Sequence, residues 1–426
     1  MKPLRTAAIL AVGSELLTAH RQDTNSLFLT GRLNDVGIDV DWKTILGDDE
    51  GAVARALREA LTRVDLVIAT GGLGPTADDI TREAVAGALG LPLAEDPAVL
   101  EQIQRRFERR GLRMPDGNRR QAAVPSGARV LRNPHGTAPG LWIDASSAIV
   151  LLLPGPPREL QPMFEKEVLP ALLSRSGGRR VRRRVIKIAG RPESHVEEVA
   201  HPIYSQFLTR DVPVATTILA APGQIEVHLS ARGADQPAMD ATLDDAVQQL
   251  VRALAPAVFS VDGRTLEQVV GDQLLARSWR VAVAESCTGG MVSARLTDVP
   301  GSSAWFAGGV VAYANDAKAA EVGVPADLIA THGAVSEPVA TAMAEGVRVR
   351  FSTNAGVGVT GIAGPAGGSA DKPVGTVVIA VATGKTVVRT YRFVGDRSMV
   401  RQQSVVAALD LLRRQLTAAE SDTASE

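Results

Sequence analysis

The segment Ala284-Glu-Ser-Cys-Thr-Gly-Gly290 follows the apolar run Arg280-Val-Ala-Val and precedes the helix-forming sequence MVSARLTD. This order predicts a buried strand, a tight turn and a helix, with Ser286 and Cys287 at the carboxyl edge of a sheet. N–H groups at a helix start have no partner within the helix, and glycines let a backbone approach a ligand closely. Two potential nucleophiles beside the acid Glu285 make this turn a candidate reaction site. The alternative is a plain strand-to-helix turn with a small buried thiol.

The sequence around this turn alternates strands, glycine-rich turns and helices, which predicts an α/β domain over residues 262–416. A helix from Thr265 to Ser278 leads into the strand before the turn. Tyr313 and Lys318 lie at the end of a later strand and in the turn or helix after it, so both could point toward the sheet edge that carries Ser286. A lysine near a serine in a partly dry pocket can lose its proton and act as a base.

The first third of the chain shows the same alternation. Apolar strands over Thr6 to Val12, Val40 to Leu46 and Asp65 to Thr70 are separated by helical segments, the first of which Asp23 or Thr24 would cap. This pattern predicts a parallel, doubly wound sheet in a domain over residues 1–173. Ligands of such sheets bind beyond the carboxyl ends of the strands, where the loops GSE, GDD and GGLGPTADD would gather.

The loop from Gly71 to Asp79 is the most informative part of that domain. Thr76 could cap the following helix, and the carboxylates of Asp78 and Asp79 suggest a divalent cation that bridges the protein to phosphoryl oxygens. The alternative is that both aspartates only favour the helix dipole. Three glycines would let backbone amides approach a phosphate: Gly71, Gly72 and Gly74.

Two later segments, Asn133 to Ile143 and Leu151 to Leu160, predict a hairpin or paired strands whose Gly-Pro-rich ends return to the same edge. Glu159 falls at a helix start, where it could reach a metal or serve the helix dipole.

A Gly-, Ser- and arginine-rich segment between Ser174 and Lys187 predicts a linker. The sequence Val185-Ile-Lys-Ile within it is typical of an edge strand with solvated charges. A strand over Ile225 to Ser230 and an amphipathic helix over Asp240 to Leu254 then predict a small α+β module within residues 174–261. Its glycines are too far apart for the GxxG loop with which a KH domain clamps RNA, so we do not expect nucleic acid as a partner. Three acids would offset the arginines: Glu193, Glu197 and Glu198.

Composition agrees with an ordinary globular protein of about three domains. The 426 residues include 46 basic and 47 acidic side chains, so no overall field favours nucleic acid or a membrane. A single cysteine excludes an intrachain disulfide framework and fits a reducing compartment. The first apolar stretch is broken at Gly13-Ser14-Glu15, before it could form a signal or a membrane span. We therefore expect a cytoplasmic protein with no membrane partner.

Several long motifs, taken in order, resemble the CinA family, the competence/damage-inducible protein A group. They are GSELL, GGLGPTADD, NPHGTAPG, LPGPPRE, AESCTGG, VTGIAGPAGG and KPVGTV. The match reaches Leu416, and residues 417–426 are predicted to form a disordered tail.

The resemblance implies three parts. The first is a molybdopterin-binding-like domain, associated in the family with hydrolysis of ADP-ribose and requiring a divalent metal cation. The second is a KH-like module, and the third is a deamidase of nicotinamide mononucleotide that uses no cofactor. The resemblance also suggests a homodimer. Asp78 and Asp79 match the acidic pair that follows the family's GGLGPT.

In the deamidase, the resemblance implies Ser286 as nucleophile, Lys318 as its base and Tyr313 as a proton donor or positioning group. An arginine of the GDRSMVR segment, Arg397 or Arg401, would complete the site.

Hydrolysis of a carboxamide also needs donors that face the developing oxyanion. The N–H groups of Thr288, Gly289 and Gly290 could supply them. The turn Thr360-Gly361-Ile-Ala-Gly364 could approach the substrate phosphate, unless it is a plain tight turn. The rival hypothesis is a non-catalytic competence factor that binds a phosphorylated ligand, protein or DNA.

Overall fold

The computed structural model describes residues 3–423, and the last three residues of the predicted tail, 424–426, lie outside them. The chain divides into two compact units. One comprises the described residues up to Arg182 together with Arg232–Met239, and the other comprises Arg183–Ala231 together with the described residues from Asp240 onward. Among the described residues, no helix has both the length and the apolar character that a membrane span requires.

The first unit is built on a six-stranded sheet of order β2-β1-β3-β8-β7-β6. Its strands are β1 Thr6–Val12, β2 Asp39–Leu46, β3 Leu66–Thr70, β6 Arg129–Leu131, β7 Gly140–Asp144 and β8 Ile149–Leu153, beside a two-stranded ribbon of β4 Leu93–Glu95 and β5 Ala123–Pro125. Its helices are α1 Thr24–Asp35, α2 Glu50–Leu61, α3 Thr81–Leu89, α4 Pro97–Glu108, α5 Pro157–Met163 and α6 Leu169–Arg175. Short 3₁₀ turns cover Ser14–Leu17 and Asp116–Ala122, and a π turn covers Phe164–Val168.

Helices cover both faces of this sheet, so the predicted doubly wound fold is confirmed. One apolar cluster contains residues of α2, α3 and α4, and the other contains residues of α1, α5 and α6. The four strands β2, β1, β3 and β8 are parallel, whereas β7 and β6 form an antiparallel edge. The predicted hairpin is the β7–β8 pair. The Asp23 side chain caps α1 by accepting a hydrogen bond from Ser26 N.

The middle module has a four-stranded sheet of order β10-β11-β9-β12 with two long helices. Its elements are β9 Arg180–Ala189, α7 Glu193–Tyr204, a 3₁₀ turn Ser205–Phe207, β10 Val214–Ala221, β11 Gln224–Gly233, α8 Gln236–Leu254 and β12 Val258–Ser260. The α+β prediction is confirmed.

Two details predicted for this module are wrong. The segment interpreted as a linker is already strand from Arg180, and β9 lies between β11 and β12 rather than at an edge. Arg184 pairs with Asp240 at 3.1 Å and Asp244 at 2.9 Å, on the following helix α8, and not with the glutamates of α7. An arginine-rich strand can occupy the middle of a sheet where acids on a packed helix neutralise its side chains, as they do for Arg184.

The last part of the chain is a second α/β layer on a sheet of order β14-β13-β15-β16-β17. Its elements are α9 Leu266–Ala276, β13 Val281–Glu285, α10 Met291–Thr297, a 3₁₀ turn Ser302–Ala304, β14 Phe306–Val311, α11 Asn315–Val322, α12 Ala326–His332, α13 Glu337–Arg350, β15 Ala355–Gly361, β16 Thr376–Ala382, β17 Thr386–Arg392 and α14 Arg397–Thr423. Strand β13 lies between β14 and β15 and is parallel to both. Helix α14 runs through Thr423, so regular structure extends seven residues into the predicted tail, from 417 to 423.

Candidate functional site

The turn after β13 carries the predicted nucleophile. All five residues of β13 are buried, and the Ser286 N–H donates to the Val359 carbonyl oxygen of the neighbouring β15 at 2.9 Å. Ser286 and Cys287 are both buried, with 7% and 4% of their surface exposed. The buried apolar strand places this turn below the surface, and the hydrogen bond to β15 orients it.

A cavity of about 200 Å³ opens at this sheet edge. It brings four of the predicted catalytic residues to one place: Ser286, Lys318, Tyr313 and Arg397. The remaining lining residues are Cys287, Asn315, Ala334, Val335, Thr360, Gly361 and Ala363. Among the residues that the structure describes, no carboxylate lines this space.

Lys318 lies in α11 and is almost completely buried, with 2% of its surface exposed. Its Nζ donates a hydrogen bond to the Tyr313 carbonyl oxygen at 3.1 Å. Burial lowers the pKa of Lys318, because a charged ammonium loses its hydration there. The amine is therefore easier to deprotonate than a surface lysine.

The Cys287 thiol has the opposite tendency. Burial, with a further contribution from the nearby Glu285 charge, raises the pKa of Cys287 to about 12. The thiol is therefore protonated at neutral pH and is a poor nucleophile. It packs closely against Gly361, where a Cβ atom would lie 3.0 Å from the sulfur.

Glu285 does not face the cavity as an acid. Its carboxylate is fully buried and accepts hydrogen bonds from the N–H groups of Gly290 at 3.0 Å, Val292 at 3.0 Å and Ser293 at 2.8 Å. The Ser293 hydroxyl donates a fourth bond at 2.7 Å. The Glu285 carboxylate thus binds the N–H groups at the N-terminus of α10, which the sequence analysis had treated as free to bind a ligand.

This arrangement corrects the predicted oxyanion donors. The Gly290 N–H is bound to Glu285, and the Gly289 N–H donates to the Ser286 carbonyl oxygen at 3.1 Å. Thr288, Gly289 and Gly290 also do not line the cavity. The N–H groups of Cys287 and Thr288 lie beside the Cys287 sulfur and lower its pKa, against the larger effect of burial.

The two candidate arginines have different positions. Arg397, the first residue of α14, lines the cavity and donates to the Tyr313 hydroxyl at 2.6 Å and to the Gly364 carbonyl oxygen at 2.7 Å. Arg401 lies outside the lining and donates to the Thr288 carbonyl oxygen at 2.8 Å. Arg397 therefore borders the cavity, whereas Arg401 contacts the backbone of the turn after β13 from outside the cavity.

The turn after β15 lies partly at the cavity. Thr360 and Gly361 line it, and the Thr360 hydroxyl donates to the Ala334 carbonyl oxygen at 2.8 Å. Gly364 is outside the lining and contributes only its carbonyl oxygen to Arg397. The hydroxyl of Thr360 is thus already used within the protein.

The first unit has a larger cavity, of about 860 Å³, at the carboxyl ends of its parallel strands. Residues of the GSE, GDD and GGLGPTADD loops line it, as predicted for a doubly wound sheet. From the predicted site they include Gly71, Gly72, Gly74, Asp78 and Asp79, but not Thr76.

Glycines in this loop are required by the backbone itself. Gly71 has φ +90°, and a Cβ atom there would lie 2.1 Å from the Val12 carbonyl oxygen. Gly72 has φ +62°, and its Cβ would lie 2.2 Å from the Thr81 hydroxyl. The glycines thus let three chain segments converge at this edge of the sheet.

The two aspartates of the loop, Asp78 and Asp79, have different surroundings. The Asp79 carboxylate accepts hydrogen bonds from the Thr76 N–H at 2.8 Å and from the Thr76 hydroxyl. Thr76 therefore closes the loop and is not a helix cap, because α3 begins only at Thr81. Asp78 is exposed, and the nearby Thr76 side chain and its own backbone N–H lower its pKa, so it is ionised.

These residues fit a metal only in combination with a substrate. Within residues 3–423, no three His, Cys, Asp or Glu side chains are grouped so that they could hold an ion. Mg²⁺ is commonly bound through one or two carboxylates together with phosphate oxygens and water. Asp78, with Asp79 beside it, meets that requirement once a phosphorylated ligand is present.

Two arginines that hold the loop were not predicted. Arg82 is fully buried and donates to the Leu73 carbonyl oxygen at 3.0 Å. Arg120 donates to the carbonyl oxygens of Thr76 and Asp79, the latter at 2.9 Å. Arg82 lies just after the loop in sequence, whereas Arg120 comes from a segment about forty residues later.

Glu159 also lines the large cavity, where it accepts a hydrogen bond from Asn133 Nδ2 at 2.8 Å. Asn25, unlike Glu159, was not predicted to lie there. Its Nδ2 donates to the Gly155 carbonyl oxygen at 2.7 Å, which ties α1 to the segment after β8.

Comparison with known proteins accounts for nearly the whole chain. Residues 8–174 match the family described as "Probable molybdopterin binding domain", residues 183–260 match "Damage-inducible protein CinA KH domain", and residues 263–416 match "CinA C-terminal domain". A CinA-like protein of Koribacter versatilis is 46% identical over 96% of this chain and 99% of its own length. The chain belongs to the CinA family.

A second relative of similar length agrees with this assignment. A putative competence-damage inducible protein of Desulforudis audaxviator is 43% identical over 96% of this chain and 98% of its own length. The crystal structure of competence/damage inducible protein CihA from Agrobacterium tumefaciens is 40% identical, covers 36% of this chain and 93% of its own, and has a TM-score of 0.35. The chain is therefore assigned to the CinA family and contains three kinds of domain.

Proposed function

We propose that the C-terminal domain of this CinA protein hydrolyses nicotinamide mononucleotide to nicotinate mononucleotide and ammonia. The observation that carries the proposal is the pairing, in one small cavity, of a buried serine hydroxyl with a buried lysine of lowered pKa. A neutral amine can accept the hydroxyl proton as the oxygen attacks a carboxamide carbon.

The steps balance without a cofactor. Ser286 Oγ forms a bond to the carboxamide carbon while the Lys318 amine takes its proton. The C–N bond then breaks, and ammonia leaves with the proton that Lys318 returns. Water attacks the resulting ester, Lys318 accepts a proton from it, and that proton restores the Ser286 hydroxyl.

Other residues serve charge and position. Cys287 lines the cavity, and its N–H is the donor we assign to the developing oxyanion, since those of Gly289 and Gly290 are already bound and Thr288 does not line the cavity. Arg397 supplies the positive charge at the cavity for the substrate phosphate, and its bond to the Tyr313 hydroxyl positions the tyrosine.

A direct test measures ammonia release from nicotinamide mononucleotide by the full-length protein. We expect ammonia and nicotinate mononucleotide in equal amounts. A non-catalytic competence factor would bind ligands but release no ammonia, and that result would refute the proposal.

A second activity is favoured by the large cavity of the first unit. Its volume of about 860 Å³ suits a dinucleotide-sized ligand, and exposed Asp78 lies where a cation could join protein to phosphate. We propose hydrolysis of the ADP-ribose pyrophosphate with a divalent cation, which yields AMP and ribose 5-phosphate. The test is AMP formation with and without added Mg²⁺ or Mn²⁺. If no AMP formed under any metal condition, the first domain would be a binding module and not a hydrolase.

We further propose a cytoplasmic homodimer.

A further inference from the structure

A positively charged surface at the end of α4 lines neither of the cavities assigned to the two proposed reactions. The segment Arg105-Arg-Phe-Glu-Arg-Arg-Gly-Leu-Arg113 contains five arginines and one glutamate, a formal charge of +4. The whole chain has a formal charge of −1. The balanced total that argued against nucleic acid therefore includes one strongly positive segment, and the local field of such a segment attracts anions.

The fold keeps these arginines together at one end of the helix. Arg109 has helical backbone angles after the last residue of α4, so it follows Arg105 by one helical turn on the same face. A turn then brings the Leu112 N–H back to the Phe107 carbonyl oxygen at 3.0 Å. This return keeps Arg113 beside the helix end.

Most of these guanidinium groups have no partner within the protein. Arg109, Arg110 and Arg113 are exposed, and within residues 3–423 none of the three forms an ion pair or a side-chain hydrogen bond. Arg105 pairs with Glu101 at 2.6 Å, but both side chains are more than half exposed, and water weakens such a pair. The charges therefore remain available to an anion.

A second segment of the chain adjoins this one. Arg106 Nη1 donates a hydrogen bond to the Pro134 carbonyl oxygen at 2.8 Å, which holds the loop after β6 against α4. Arg132 and His135 of that loop are exposed. Residues 105–113 together with Arg132 and His135 form what we call the α4 basic surface.

The chemistry of the α4 basic surface fits a chain of phosphates. Its cations are arginines, apart from His135, and a guanidinium binds phosphate through paired hydrogen bonds. Leu112, 56% exposed, is the large apolar side chain that this described surface presents, and one such side chain gives little area for insertion into a membrane. Duplex nucleic acid carries one negative charge per about 1.7 Å of its axis, a higher density than an acidic polypeptide reaches.

We propose that the α4 basic surface binds the phosphate backbone of nucleic acid without reading the base sequence. The simpler role of the arginines is to balance the dipole at the end of α4. That role requires only cations in the last helical turn, whereas Arg132 and His135 extend the surface beyond the helix.

The test measures fluorescence anisotropy of short labelled DNA and RNA duplexes with the full-length protein at several salt concentrations. We expect both duplexes to bind, with an affinity that falls as salt rises, because binding releases counterions. The variant Arg109→Gln/Arg110→Gln/Arg113→Gln should weaken binding by about tenfold or more at low salt. It should also reduce the slope of log affinity against log salt by about 3.

The matched control is Arg5→Gln/Arg55→Gln/Arg58→Gln. It removes the same charge from three exposed arginines of the same unit that lie outside the α4 basic surface. The control should change the affinity by less than about threefold, because salt screens charges that do not contact the duplex. Polyglutamate of equal total charge should compete weakly with the duplexes, since its charges are farther apart.

Five results would overturn the proposal. The first is the absence of salt-dependent binding to either duplex at low salt, and the second is equal weakening by the variant and its control. Equal competition by polyglutamate would assign the surface to an acidic protein, and binding to phosphatidylglycerol vesicles in place of duplexes would assign it to a membrane. A variant that melts at a lower temperature but binds duplexes unchanged would leave the arginines with the helix dipole alone. These readouts do not depend on either proposed enzymatic activity.

Discussion

Lys318 Nζ donates a hydrogen bond to the Tyr313 carbonyl oxygen at 3.1 Å beside the cavity that Ser286 also lines. The acceptor is neutral, so it orients the amine without the strong attraction that a carboxylate would exert on a proton. Burial is then free to lower the lysine pKa. This relationship makes the base hypothesis testable through pH.

Activity should follow the charge of Lys318. We expect turnover of nicotinamide mononucleotide to rise with pH through the lowered pKa of the lysine and then to level off, because only the neutral amine accepts a proton. Lys318→Arg, which stays charged, should lose roughly a thousandfold in activity or more at every pH. The matched control is Lys372→Arg, whose lysine lies outside the cavity and donates to the His332 carbonyl oxygen. A flat pH profile, or an active Lys318→Arg, would contradict the assignment.

The lowered pKa of Lys318 should also make the stability of the protein depend on pH. The pKa of Lys318 is lower in the folded state than the ordinary 10.5, so between those two values the unfolded chain binds more protons and stability rises with pH. Below the folded-state pKa the charged lysine destabilises the protein fully. Lys318→Met should therefore be more stable than the unmodified protein at acidic and neutral pH. Denaturant titrations should show this advantage vanish near pH 10.5, and an advantage that grows with pH would contradict the burial argument.

Glu285 should matter for the shape of the nucleophile turn. Glu285→Gln keeps the volume but places an amide donor against backbone N–H groups, and we expect a loss of about 1–3 kcal/mol in unfolding free energy. Turnover should fall as well, since the Ser286–Gly290 turn is held by these bonds. The control is Asp327→Asn, an exposed acid in the first turn of α12. A Glu285→Gln protein as stable as the control would show that the bonds contribute little.

The acidic pair of the first unit should separate into two roles. Asp78→Asn should abolish metal stimulation of ADP-ribose hydrolysis with little change in melting temperature, because Asp78 is exposed. Asp79→Asn should also lower the melting temperature, since Asp79 holds Thr76. Asp116→Asn is an exposed control outside the cavity. If both loop variants kept full metal-stimulated turnover, the metal site would have to be abandoned.

Domain independence can be tested with two fragments. The sequence suggests that a fragment starting near Asp262 folds alone, but α14 also contacts the middle module. Arg413 Nη2 donates to the Pro256 carbonyl oxygen at 2.9 Å, and Val406 packs against Gly223. We expect fragment 262–423 to retain deamidase activity but to melt at a lower temperature than fragment 183–423. Equal melting temperatures would show that these contacts add no stability.

Local patterns predicted the sheets and the strand-end loops because apolar runs and glycine positions determine them within a few residues. They did not predict where side chains with several possible partners would point. Glu285 is one residue from the nucleophile, yet it turns to the free N–H groups of α10 because a buried carboxylate needs several donors. Arg82 and Arg120 clamp a loop through contacts that exist only after folding.

The middle module shows the same limit of prediction from local sequence patterns. The sequence Val185-Ile-Lys-Ile predicted an exposed edge strand with solvated charges, but Arg184 is neutralised by acids located more than fifty residues later in the chain. Charge pairing across that separation depends on tertiary packing, which a local pattern does not contain.

The central claim is that Ser286, and not the adjacent Cys287, attacks the substrate. The most direct measurement is ammonia release from nicotinamide mononucleotide by Ser286→Ala and Cys287→Ala, each checked for folding by its melting curve. The raised pKa of Cys287, about 12, keeps its thiol protonated. We therefore predict that Ser286→Ala loses roughly a thousandfold in turnover or more, while Cys287→Ala stays within about tenfold of the unmodified protein. A folded but inactive Cys287→Ala beside an active Ser286→Ala would contradict the account and assign the attack to the thiol.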